Sequence, residues 1–270
     1  MPSTVVITAA AGVTVLMLAT WLISVIRRDA SVVDVVWGLG FVVVAAASLA
    51  MGDGLLGRRV LLMVLVGVWG LRLAGYLAWR NLGHGEDRRY QKMRSRYGPW
   101  FWLISLATVF ALQGALMLVV SVPVQLSAAA EGDDSLGPLA VLGALVWLVG
   151  VTFEAGGDLQ LARFKADPDN EGQVMDTGFW RYTRHPNYFG DFLVWWGIYL
   201  VAAETALGRW GVIGPVVMSV FLLKVSGVAM LERDIGRRRP KYADYIERTS
   251  AFFPLPPKAP ADGGKQPSDR

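Results

Sequence analysis

Cysteine is absent from this chain, and only two histidines, His84 and His185, occur in its 270 residues. Disulfides and thiolate metal sites are therefore excluded, two histidines cannot build a His-rich metal cluster, and no metal is expected. Charge is also scarce. Asp, Glu, Lys and Arg make up 18% of the chain, where a soluble domain of this length carries about 25%. That is too little polar surface to coat a water-soluble globule. The formal net charge of +4 falls in the connections between apolar blocks, so it reports topology rather than nucleic-acid binding.

What the chain has in place of charge is apolar residue, 54% of the total, gathered in blocks. Runs of about 20 apolar residues recur, each long enough to cross a hydrocarbon core of about 30 Å as a helix. Seven spans are read at roughly 4–26, 32–52, 60–80, 100–124, 137–160, 187–204 and 210–230. The expected fold class is all-α, a polytopic membrane helical bundle forming a single domain over 1–253. The segment 254–270 is Pro/Gly/Lys-rich and is expected to be a disordered tail. Arg27-Arg28 follows the first span, which lacks a basic leader and a small-residue cleavage site, so it reads as a signal anchor. Connections 27–30, 81–98 and 161–186 and the tail from 231 are rich in Arg and Lys, whereas 125–136 carries only Glu131, Asp133 and Asp134. The positive-inside rule then puts the N-terminus outside and the C-terminus in the cytoplasm. Arg58-Arg59 is the dissenting pair, and Arg209 stands alone in connection 205–209.

Ionisable residues inside spans are costly and mark candidate sites. Asp34 lies in the Val-rich start of span two, followed by Trp37, and Arg72 lies in span three beside Trp69. Arg72 can assist Asp34 or simply pair with it. Glu154 and Asp158 are one turn apart in span five and share a face. Lys224 in span seven can snorkel.

The densest constellation is Arg184-His185-Pro186-Asn187-Tyr188-Phe189-Gly190-Asp191, just after Arg181 and Tyr182. Pro186 suits the first turn of a helix, whose N-terminus, beside the arginines, is a natural phosphate seat. Asn187, Tyr188, Asp191 and Trp195 form a polar and aromatic strip near one face. Gly190 admits another backbone or a flat ring. A plainer reading is an amphipathic helix entering the membrane behind a basic anchor. Asp158, Gln160, Arg163 and Lys165 end span five at the same compartment, and Arg233, Asp234, Arg237, Lys241, Tyr242 and Tyr245 follow span seven. Their plainer reading is an anchor on anionic lipid.

From span five to the C-terminus these motifs resemble the superfamily of steroid 5α-reductases and sterol Δ14/Δ7 reductases, and the whole chain looks most like its bacterial DUF1295 branch. Arg184 to Asp191 matches that family's R-H-P-N-Y-x-G-D/E. Gln160, Phe164 and Lys165 match N-x-Q-x-x-x-F-R/K with Asp158 in place of the Asn, and Arg233 to Tyr242 resembles R-D-x-x-R-x-x-x-K-Y. The resemblance implies NADPH as cofactor. Asp158, Gln160, Lys165, Tyr182, Arg184, His185, Asn187, Tyr188, Asp191, Trp195, Arg233, Asp234, Arg237, Lys241, Tyr242 and Tyr245 would be the cofactor-binding residues of a part spanning 137–253. It further implies substrate-side helices over 1–136, with Asp34, Arg72, Trp37 and Trp69 as candidate catalytic residues reducing a C=C bond conjugated to a carbonyl of a lipophilic substrate. The family's substrate-side tyrosine in span three has no clear counterpart. The implied location is the bacterial inner membrane, with the cofactor site facing the cytoplasm. Isoprenylcysteine and phospholipid methyltransferases share R-H-P-x-Y-x-G, and Glu232, Tyr242 and Tyr245 also fit those S-adenosylmethionine-binding proteins. A transporter would show an inverted repeat with broken helices, which the chain lacks.

Overall fold

A computed structural model describes residues 2–81, 83–130, 135–225 and 241–258. Every regular element among them is helical. The long helices are α1 (Pro2–Arg27), α2 (Val32–Met51), α3 (Leu56–Asn81), α8 (Pro138–Ala166) and α9 (Pro186–Ala202). Between α3 and α8 lie α4 (Arg88–Tyr97), α5 (Phe101–Ser105), α6 (Leu112–Val120) and α7 (Val122–Ala128), with a wide π turn at Leu106–Ala111 joining α5 to α6. Then come α10 (Ile213–Val220) and α11 (Lys241–Arg248).

Among the described residues, six helical stretches are long and apolar enough to cross a membrane; α9, with 17 residues, is shorter than these. Many large apolar side chains point outward, among them Ile7, Val15, Ile26, Leu71 and Leu145. Such a surface suits lipid rather than water. The protein is thus an all-helical membrane protein, as its apolar blocks lead one to expect.

The chain divides into two compact units that interleave along the sequence. The first comprises Met1–Trp147 with Val194–Met218, the second Leu148–Leu193 with Ser219–Arg270. In the first unit α1 packs on α2, and α2 on α3. The α2–α3 approach is close enough to require glycine: a Cβ on Gly38 would fall 2.4 Å from the Gly70 carbonyl oxygen, and one on Gly70 2.6 Å from that of Gly38. This brings Phe41 and Trp69 together on facing helices, both fully buried.

In the second unit the end of α8 packs on the start of α9. Gly190 resolves the choice the sequence left open, since its neighbour is backbone: a Cβ there would lie 2.4 Å from Glu154 N and 2.5 Å from Gly150 O. Residues 249–255 run beside 182–184 through Arg184 N–H to Ser250 O (2.9 Å), Thr183 Oγ1 to Phe252 O (2.8 Å) and Leu255 N–H to Tyr182 O (3.0 Å). Phe252 and Phe253 pack edge-on against Phe189 and Phe192. Residues 254–258, assigned by composition to a disordered tail, are therefore ordered. Leu255 and Lys258 donate to the backbone of Tyr182 and Arg248, and the aromatic pair just before them anchors the strand of chain.

Candidate active site

In the first unit the site begins with a clasp between two connections. Glu86 Oε1 accepts the Ala30 N–H at 2.9 Å, and Arg94 closes a two-point pair on the same carboxylate at 2.7 and 2.9 Å. Ser31 Oγ accepts the Asp87 N–H at 2.6 Å. Asp87 then caps α4, its Oδ1 accepting the Arg89 N–H at 2.8 Å and the Arg89 Nε–H at 3.0 Å. Partial burial alone would raise the Asp87 carboxyl, but these hydrogen bonds from Arg89 outweigh it and hold the group below the usual carboxylate range. The clasp fixes the start of α4 against the start of α2.

Its consequence is that α4 delivers two side chains to Asp34. The Tyr90 hydroxyl donates to Oδ1 at 2.8 Å, and Arg89 Nη2 lies 2.7 Å from Oδ2. Tyr90 is 6% exposed, while the Arg89 side chain is 48% exposed and that of Asp34 15%. Gln113 lies beside the Tyr90 phenol. The cation at Asp34 is therefore Arg89, where the sequence had offered Arg72; a packed amphipathic helix reaches the carboxylate from its solvent side. Arg72 itself is half-buried in α3.

Asp34, Trp37 and Phe41 follow at i, i+3 and i+7 on α2, so an aromatic wall continues from the carboxylate along one stripe. Trp37 meets Phe41 edge-on at 5.1 Å, Phe41 meets Trp69 at 5.4 Å, and Trp195 closes on both at 4.6 and 5.3 Å. Trp195, grouped by sequence with the Asn187 strip, thus lies with the substrate-side candidates Trp37 and Trp69. Its indole is fully buried, and its Nε1–H has no hydrogen-bond acceptor among the described residues.

The second unit assembles the other candidates. Asn187 Nδ2 donates to the buried Asp158 carboxylate at 3.2 Å, and His185 stacks on Tyr188, rings 5.6 Å apart and 9° from parallel. Glu154 and Asp158 share a buried face of α8. Gln160 Oε1 accepts the Phe179 N–H at 3.0 Å, which draws the turn Gly178–Arg181 to the end of α8 and brings Arg181 to the same end as Arg163 and Lys165, all three exposed. Arg184 is buried and donates Nη1 to the carbonyls of Ile246 (2.9 Å) and Thr249, at the end of α11. Tyr245 donates its hydroxyl to the Trp180 carbonyl and packs edge-on with Tyr242; Tyr182 is exposed. Asp191 lies one turn beyond Asn187 and is half-buried. Lys241 opens α11. Arg233, Asp234 and Arg237 lie outside the described residues, as does the Lys241 side chain.

Fit to a phosphate-bearing cofactor can be judged at the start of α9. Gly157 faces it directly, and a Cβ there would stand 3.0 Å from Pro186 and 3.3 Å from the Asn187 nitrogen. The missing side chain lets the α8 backbone close on that first turn. With Arg163, Lys165 and Arg181 at the end of α8, the donor set suits an anion.

The residues that sequence reasoning missed are Tyr90 and Arg89. They sit in the basic connection 81–98, read only as a topology signal. The available clue was an Asp87 N-cap before Arg88-Arg89-Tyr90, which marks a helix rather than a loop.

Residues 20–249 match the family described as protein of unknown function (DUF1295), and the chain belongs to that family. It is similar to an uncharacterized protein of Schizosaccharomyces pombe, 24% identical over 266 residues, covering 87% of this chain and 75% of that one. No solved structure matches it.

Proposed function

We propose that this membrane protein is an NADPH-dependent reductase of a C=C bond conjugated to a carbonyl in a lipophilic substrate, akin to the steroid 5α-reductase and sterol reductase superfamily. The observation that carries this reading is the Tyr90–Asp34 hydrogen bond of 2.8 Å at the head of an aromatic stripe. A carbonyl oxygen that reaches the Tyr90 hydroxyl meets a positioned proton, and negative charge developing there during reduction is stabilised. Arg89 holds Asp34 from the exposed side, and Trp37, Phe41 and Trp69 offer an apolar wall to a lipid-soluble ring or chain. When bound, NADPH supplies the hydride. Arg163, Lys165 and Arg181 would receive its phosphates, and the Asn187–Asp158 pair would offer a donor and an acceptor to its sugar or amide groups. Seven spans with the N-terminus outside and the C-terminus in the cytoplasm, in a bacterial inner membrane, complete the reading and would open this seat to the cytoplasmic pool.

One observation favours the alternative, a membrane methyltransferase of the isoprenylcysteine or phospholipid type. Arg184 Nη1 is committed to backbone carbonyls, and S-adenosylmethionine, lacking phosphate, asks for fewer cations. The two part on one titration of purified protein followed by thermal stability. A ligand at 100 times its Kd stabilises by about 2.7 kcal/mol. Stabilisation by NADPH is expected; stabilisation by S-adenosylmethionine alone overturns the reductase.

A further inference from the structure

Three arginines of the first unit, Arg58, Arg59 and Arg209, depart from the charge pattern of the other connections. Cations in helical membrane proteins collect on one side, so each exception needs a local cause. Arg59 has one: its Nη1 donates to Leu49 O at 2.6 Å in the last turn of α2, and its Nε to Gly54 O at 2.9 Å in the connection that follows. Arg58 has no such use. It is 4% exposed, and its Nη2 makes two long contacts, 3.4 Å to Glu204 Oε2 and 3.5 Å to the Ser135 carbonyl. Its Nε is buried and has no hydrogen-bond partner among the described residues. Glu204 is firmly held, since its Oε1 accepts the Ala140 N–H at 2.8 Å in the first turn of α8.

These groups line a cavity of about 500 Å³, together with Gly137, Pro138, Thr205 and Arg209. Arg209 is exposed at its edge and is steered by an Nε hydrogen bond to Ala203 O at 3.3 Å. Two guanidinium groups and one carboxylate line the cavity, which leaves its lining with a formal excess of one positive charge. A buried guanidinium with unmet donors is completed by an acceptor from outside, and its planar edge matches an oxyanion that offers two oxygens.

We propose that this cavity is a binding site for a phosphate-class oxyanion, held by Arg58 from within and by Arg209 from the edge. It is separate from the Asp34 site: α2 begins beside Asp34 and ends at the carbonyl Arg59 caps, 20 residues or about 30 Å away. Two sources present the same chemistry, the headgroup of an anionic lipid and a soluble phosphate.

Full-length protein in neutral detergent is titrated with inorganic phosphate. In parallel it is placed in phosphatidylcholine nanodiscs with and without phosphatidic acid, both read by thermal stability. A rise with inorganic phosphate marks a soluble source; a rise with phosphatidic acid alone marks a lipid headgroup. Either supports the site if Arg209→Gln weakens the response about tenfold and Arg58→Lys, which keeps charge but loses the planar edge, weakens it further. The double variant Arg58→Gln with Glu204→Gln removes the ion pair without stranding a charge and should abolish the response. Neutralising Glu131, Asp133 and Asp134 together should leave the response unchanged or tighten it. Absence of any response to both sources overturns the proposal, and so does a response that Arg209→Gln leaves intact. Weaker binding in the triple neutral variant would mean that the ligand is not drawn by positive charge and would overturn it as well.

Discussion

Replacing Tyr90 by phenylalanine removes one oxygen and leaves Asp34 facing Arg89 alone. The lost hydrogen bond is 2.8 Å long and joins a 6%-exposed phenol to a carboxylate whose side chain is 15% exposed. A hydrogen bond to a charged group in such surroundings contributes about 1.5–3 kcal/mol. The Arg89 pair is as short, at 2.7 Å, but with the guanidinium half in solvent it is worth only about 0–1 kcal/mol. A double-mutant cycle of Asp34→Asn with Tyr90→Phe should therefore give a coupling at least twice that of Asp34→Asn with Arg89→Leu. The assay is thermal unfolding of the single and double variants in one detergent, where each 1 kcal/mol corresponds to about 2–4 °C for a chain of this size. Raising salt should shrink the Arg89 coupling and spare that of Tyr90. A coupling larger with Arg89 than with Tyr90, or none with either, refutes the assignment of Tyr90 as the principal partner. If the pair also polarises a substrate carbonyl, Tyr90→Phe should cut turnover per folded molecule well beyond its effect on stability.

Gly190→Ala should destabilise by about 1–3 kcal/mol, because its Cβ would meet α8 backbone at 2.4 Å; yield and monodispersity in detergent report it. Arg184→Lys keeps the charge but loses the forked reach to Ile246 and Thr249, so residues 241–258 should become sensitive to limited proteolysis while any anion binding by charge persists. Tyr245 is held neutral, chiefly by burial and secondarily by the neighbouring Tyr242, which raises its pKa above the ordinary phenol value. Its contribution is therefore complete below pH about 10 and lost as pH rises beyond that toward the folded-state value. The C-terminal segment should then loosen in alkaline solution, and Tyr245→Phe should abolish that step in a proteolysis-versus-pH profile. Asn187→Ala should weaken NADPH binding by about 1–3 kcal/mol while the protein still inserts; unchanged binding with a collapsed fold would make the Asn187–Asp158 pair purely structural.

The helical class and the places where helices begin were legible because they are local. A window of about 20 apolar residues decides its own fate in a bilayer, so α1, α2, α3 and α8 fall close to the spans read from sequence. Pro186 opens α9 as its residue type requires. The Asp34 partner was not legible, because Tyr90 lies 56 residues away on a short helix whose basic composition resembles any cytoplasmic anchor. That Trp195 packs against Phe41 and Trp69 was not legible either, for a related reason. Helical spacing says which residues share a face, but not which helix that face meets.

Charge followed the same division. The sequence alone marked Arg58, Arg59 and Arg209 as exceptions to the orientation rule, since that rule needs only counts along the chain. That Arg59 caps α2 while Arg58 turns to Glu204, 146 residues on, was decided by tertiary structure. Insertion of a span depends on the summed transfer free energy of its own residues, which a sequence contains in full. The meeting of two polar groups depends on the rotation and close approach of whole helices, set here by contacts such as Gly38 on Gly70, and no single segment carries that information.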